Sequence, residues 1–133
     1  MFEYHGWATL RSDTYGTEVS PISRPRLEDL RRSLVNLDGS GDSGVRFING
    51  NLQLWLSGSP NHRHDLVVEF FRGLAMGFPG SYGILYIWDD ESDHDNAFRV
   101  FRLARGKVEE LDDPFLSPCV PTIEDPYDPE RCG

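Results

Sequence analysis

Two periods alternate along this chain. Phe2, Tyr4, Gly6, Ala8 and Leu10 fall on one side of an extended segment, with Glu3, His5, Trp7 and Thr9 on the other, the two-residue period of a strand. Residues 12–24 are mostly polar with Gly, Ser and Pro, which predicts a loop. Leu27, Leu30, Leu34 and Leu37 then step by three, four and three, making the apolar stripe of a helix. That helix should begin near Pro25, whose missing N–H is not needed in a first turn. Glu28 and Asp29 near its start suit the helix dipole, and Gly39 is placed to cap its end.

The next signal is a hairpin. Asn49-Gly50 sits between two alternating runs within residues 45–57 and calls for a two-residue type I′ turn. That turn pairs Ile48 with Asn51, Phe47 with Leu52 and Val45 with Leu54, and puts Val45, Phe47, Leu52, Leu54 and Leu56 on one face. A second helix is expected from Asn61, a good N-cap residue, through Leu66, Val67, Phe70, Phe71, Leu74 and Ala75 to the stop at Gly77 and Pro79. Residues 82–88 are apolar on both faces, as in a central strand. An acidic loop follows, then a strand at 97–104, and Arg105-Gly106 turns the chain back into a short edge at 107–111. The order β-α-β-β-α-β-β predicts an α+β fold: an antiparallel or mixed sheet with two helices on one face, ferredoxin-like or a near relative. The length of 133 residues fits one domain. Residues 112–133 hold five prolines and read as a surface-wrapping tail pinned by Phe115, Leu116 and Ile123.

Charge narrows the function. Lys and Arg total 13 against 22 Asp and Glu, a net charge of −9. Such a surface is poorly suited to sequence-independent nucleic-acid binding or to anionic lipid, and any charged partner should be basic. The imbalance lies in the second half: residues 1–66 carry 7 basic and 8 acidic groups, residues 67–133 carry 6 and 14. No apolar run approaches the roughly 20 residues that cross a bilayer, and the first residues lack the basic and apolar regions of a signal peptide. A cytoplasmic protein is expected. Cys119 and Cys132 do not make a disulfide scaffold; free thiols are expected, with Cys119 buried and inert in its proline-bordered apolar stretch.

Candidate chemistry is sparse. Gly41-Asp42-Ser43-Gly44 copies part of a serine-protease nucleophile motif, but Val45 stands where a glycine should follow. His62, Arg63, His64 and Asp65 cluster at a helix start without zinc-site spacing. Asp89-Asp90-Glu91-Ser92-Asp93-His94-Asp95 places acids like a calcium loop, yet His94 replaces the required glycine and Val100 the closing glutamate. Pro79-Gly80-Ser81-Tyr82-Gly83 lacks the lysine and spacing of a phosphate loop. No catalytic set, metal or cofactor is expected. The competing readings are a small metal-dependent or acid/base hydrolase using His5, His62 and His64, and an acidic adaptor.

Several segments carry a resemblance. Phe2-Glu3-Tyr4-His5-Gly6-Trp7-Ala8-Thr9, Asn61-His62-Arg63 and Pro79-Gly80-Ser81-Tyr82-Gly83-Ile84-Leu85-Tyr86 resemble the immunity protein 7 family of bacterial polymorphic toxin systems. Leu103-Ala104-Arg105-Gly106-Lys107 and the stretch from Asp113-Pro114-Phe115 to Ile123-Glu124-Asp125 resemble it too. The resemblance implies a cytosolic α+β antitoxin that binds one cognate toxin domain made by the same cell. An inhibitor of a basic nuclease groove would be acidic, as this chain is. The expected contact residues are therefore Trp88, Asp89, Asp90, Glu91, Asp93 and Asp95 on the first acidic stretch, Glu109, Glu110, Asp112 and Asp113 on the second, and Trp55 on a partly exposed sheet face.

Overall fold

The computed structural model describes residues 1–12, 23–37 and 41–125. Eight elements follow in order: β1 (Phe2–Leu10), α1 (Arg24–Val35), β2 (Asp42–Ile48), β3 (Asn51–Gly58), α2 (Leu66–Gly77), β4 (Tyr82–Asp89), β5 (Arg99–Ala104) and β6 (Lys107–Asp112). The expected order holds, and the short edge at 107–111 is a full sixth strand. All six strands form one sheet in the order β2-β3-β1-β4-β5-β6, and every neighbouring pair is antiparallel. β1–α1–β2 and β3–α2–β4 each connect two strands that flank a third, the split crossover of a ferredoxin-like sheet. The β5–β6 hairpin extends that sheet beyond β4.

Local chemistry accounts for most of the elements. Asn49 and Gly50 have φ of 51° and 80°, the left-handed values of a type I′ turn, and the predicted pairs Ile48–Asn51, Phe47–Leu52 and Val45–Leu54 all form. Arg105 and Gly106, with φ of 52° and 74°, make the second such turn. α1 begins with proline in its first turn and ends at Val35, where the Asn36 N–H bonds the Arg32 carbonyl and the Leu37 N–H the Leu34 carbonyl. Gly39, the expected cap, lies outside the described residues.

α2 starts four residues beyond the position expected from an Asn61 cap, with Asp65 before its first residue. The reason is tertiary. Residues 62–64 are drawn off the helix axis, because Arg63 bonds the Asp89 carboxylate and the His64 ring bonds the Leu37 carbonyl.

One core unites one sheet face with both helices. Tyr4, Ala8, Leu10, Leu52, Leu54, Leu56, Leu85 and Leu103 meet Leu30 and Leu34 of α1 and Val67, Phe71 and Leu74 of α2. α1 sits nearest β2, and α2 nearest β5 and β6. Phe47 keeps its predicted register but is 55% exposed, because it sits near the hairpin end of an edge strand. The start of β4 is latched to the end of β1. Buried Ser81 accepts the Arg11 N–H at 2.9 Å, and the Gly80 N–H reaches the Arg11 carbonyl at 3.1 Å. Gly83 must lack a side chain there, since a Cβ would collide with the backbone of Trp7 and Ala8.

The described part of the tail is held by polar bonds and not by its apolar side chains. Phe115, Leu116 and Ile123 all remain largely exposed. Asn96 clamps the segment instead: its amide donates to the Val120 carbonyl and its oxygen accepts the Cys119 and Val120 N–H groups at 3.0 and 2.7 Å. Cys119 is exposed, against the expectation of a buried thiol, because this clamp carries the backbone over the surface. Cys132 lies outside the described residues.

Candidate partner-binding site

The sheet has two unlike faces. One is covered by α1 and α2. The other carries no helix among the described residues, and on it lie Trp7 of β1, Trp55 of β3, and Tyr82, Ile84, Tyr86 and Trp88 of β4. The apolar second face of β4, expected to be buried, is therefore an outer surface: Tyr82 is 42% exposed, and Ile84, Tyr86 and Trp88 are half-buried. Trp7 stands directly opposite Trp55 in the strand register, and the two are 47% and 37% exposed.

These rings are held in place. A Cβ at Gly44 would collide with the Trp55 indole, so the absence of a side chain on the neighbouring strand lets that ring lie across it. The Arg46 guanidinium sits 5.5 Å from the Trp55 ring centre, and Arg11 sits 5.4 Å from that of Tyr82. Trp7 and Tyr82 meet edge to face at 6.2 Å.

The acidic loop between β4 and β5 straddles the two faces. Its first half turns toward α2. The Asp89 carboxylate is buried, binds Arg63 at 2.9 Å and accepts the Glu91 N–H at 3.1 Å. That hydrogen bond and the carboxylate's charge raise the Arg63 pKa further above its ordinary value. Asp90 bonds the Met1 amine at 2.7 Å and raises its pKa, and Glu91 lies 3.4 Å from His62. Ser92 and His94 still line a cleft beside α2, and the loop reaches the helix-free face at Asp95. The Trp88 indole donates to the Asp95 carbonyl at 2.8 Å, and Phe98 packs edge to face on Tyr86.

The expected contact residues thus fall into different classes. Asp89 and Asp113 are buried, and Asp113 accepts the Phe115 and Leu116 N–H groups at the start of the tail. Glu110 and Asp112 pair with Arg99, and Glu109 pairs with Arg102. Asp93 and Asp95 are exposed and make no ion pair among the described residues. Trp55 and Trp88 share the helix-free face. Trp7, Tyr82, Ile84, Tyr86, Arg11 and Arg46 belong to this surface and were not among the expected contacts. The available signal was the two-residue period of β1, which puts Trp7 on the polar side with Glu3, His5 and Thr9.

The histidines do not converge. His5 lies 3.2 Å from Glu3, His62 pairs with Glu91, and His64 bonds a backbone carbonyl. Among the described residues no three His, Cys, Asp or Glu side chains are grouped to hold a metal ion. A cleft of about 430 Å³ opens between the start of α2 and the ends of β4 and β5. Of its three arginines, Arg63 and Arg99 are paired with carboxylates and Arg72 lies 5.6 Å from the Phe101 ring centre.

The model of the family Immunity protein 7 matches residues 1–125. The chain belongs to the Immunity protein 7 family. Comparison with curated proteins and with solved structures finds no significant match. Membership makes this immunity protein an antitoxin whose partner is a cognate toxin protein, and immunity proteins are generally non-enzymatic. No helix among the described residues is long and apolar enough to cross a membrane.

Proposed function

We propose that this immunity protein neutralises its toxin by stoichiometric binding, with no chemistry of its own, and that the toxin surface it covers is basic, as a nuclease groove would be. The family match over residues 1–125 carries the reading. The net charge of −9 supports the basic partner, since complementary potentials speed encounter and exclude wrong partners. The scattering of His5, His62 and His64, which meet three different neighbours, favours binding over hydrolysis. The cytoplasm, where a toxin made by the same cell would first be met, is the compartment this role calls for.

The test is co-expression with a candidate toxin domain, sought in the reading frames beside the gene. Growth should be rescued, and the two proteins should co-purify at one to one. Rescue without a complex would point to chemistry and overturn the reading. Replacing His62 by Gln should leave rescue intact.

A further inference from the structure

Resting on that reading, we infer that the helix-free sheet face is the toxin-docking surface, with the Trp7–Trp55 pair and Tyr82 as anchors and Asp93 and Asp95 as its charged rim. The occupant is a toxin domain that presents an apolar patch flanked by Lys or Arg.

The solvent side of an antiparallel sheet ordinarily alternates to polar residues. Here its middle holds two tryptophans opposite each other on β1 and β3, with Tyr82 beside them on β4. The core does not need them: it is closed on the opposite face by both helices. A contiguous exposed aromatic patch is a hazard for a free protein and marks a surface meant to be covered. Its residue types, Trp, Tyr and Arg, are those that dominate protein–protein hot spots. Gly44 beneath Trp55 and the guanidinium groups of Arg46 and Arg11 hold the rings ready, so little side-chain freedom is left to lose on binding.

Charge selects the partner. On the face itself Glu3 is next to His5 and Arg102 is paired with Glu109, so the acid excess does not lie at its centre. It lies at the rim, where the Trp88–Asp95 bond brings the end of the acidic loop to this side. Asp93 and Asp95, exposed and without ion pairs among the described residues, are free to meet cations. A second copy of this chain would bring another net −9 against the first, which disfavours self-pairing.

Two measurements use as the probe the purified toxin domain that the co-expression test identifies. Hydroxyl-radical footprinting of the wild-type protein should show Trp7, Trp55 and Tyr82 losing reactivity in the complex. Met76, 88% exposed on α2, should keep its reactivity. Calorimetric titration should show Trp55→Thr, and separately Trp7→Thr with Tyr82→Thr, weakening binding by about thirtyfold or more. Asp93→Asn with Asp95→Asn should slow association about tenfold at low salt and converge with wild type at high salt.

Wild-type binding with unchanged reactivity at Trp7 and Trp55, or with Met76 protected in their place, overturns this surface and leaves the antitoxin reading standing. No binding or rescue by the wild type overturns the antitoxin reading itself. A chain that sediments as a dimer, dissolved by Trp55→Thr, makes a second copy the occupant and overturns the proposal. Footprinting needs no variant, so it decides even if a substitution prevents folding.

Discussion

Asp89→Asn separates acid that holds the fold from acid that faces the partner. The Asp89 side chain is 8% exposed and serves two donors, the Arg63 guanidinium at 2.9 Å on one oxygen and the Glu91 N–H at 3.1 Å on the other. Asn keeps the shape but has one oxygen. Whichever way its amide is turned, the NH₂ group faces a donor. A hydrogen bond to a charged group is worth about 1.5–3 kcal/mol, and the buried oxygen left against a donor adds to the loss. Arg63 is 57% exposed and can turn to water, which pulls the figure down to about 1–2 kcal/mol. For a domain of this size that lowers Tm by about 3–8 °C.

Asp93→Asn is the matched control. Its carboxylate makes no ion pair among the described residues, so stability should stay within about 0.5 kcal/mol of wild type. Thermal unfolding by circular dichroism at pH 7, with urea titrations to check that the m-value is unchanged, measures both. Equal stability of Asp89→Asn and wild type would refute the argument. So would an Asp93→Asn protein that loses as much as Asp89→Asn. Toxin binding should show the reverse ordering at low salt, with Asp93→Asn the more affected once both proteins are folded.

Three further outcomes follow from the geometry. Ser81→Ala removes the acceptor of the Arg11 N–H and should cost about 1–2 kcal/mol in urea unfolding; an unchanged midpoint would show that the latch between β1 and β4 is idle. Cys119 is exposed, so a thiol reagent should label it in the native protein, and reductant should leave Tm unchanged; labelling that waits for unfolding, or a Tm drop on reduction, would contradict this. The Glu124 carboxyl is held below its ordinary value of 4.5 by the backbone N–H groups of Glu124 and Ser117. Its contribution is then complete above that value and lost as pH falls through the lowered one, so protection of the Ser117 amide from hydrogen exchange should fall on acidification, and Glu124→Gln, whose amide oxygen still accepts but does not titrate, should abolish that fall.

What local chemistry dictates could be read from the sequence. Asn49-Gly50 requires two left-handed residues, so turn, register and facing residues of the β2–β3 hairpin follow together. The leucine stripe from Leu27 to Leu37 and the alternation in β1 are equally local. Fold class followed from element order, because two split crossovers leave few ways to build one sheet. The start of α2 was misplaced because Asn61 is a sound cap by itself, and only the pull of Asp89 and Leu37 on the residues after it delays the helix.

The site was harder to see because its decisive property is relational. A run of carboxylates looks uniform in sequence, yet Asp89 and Asp113 are buried as hydrogen-bond acceptors, Glu109, Glu110 and Asp112 are paired with arginines, and Asp93 and Asp95 make no ion pair among the described residues. Tyr82 to Trp88 reads the same whether its second face lies under a helix or open. Period and turn chemistry depend on neighbours a few residues away, so the sequence alone determines them. Which charge is neutralised and which aromatic face is bare depends on residues tens of positions apart meeting at one end of the sheet, and that only the tertiary structure decided.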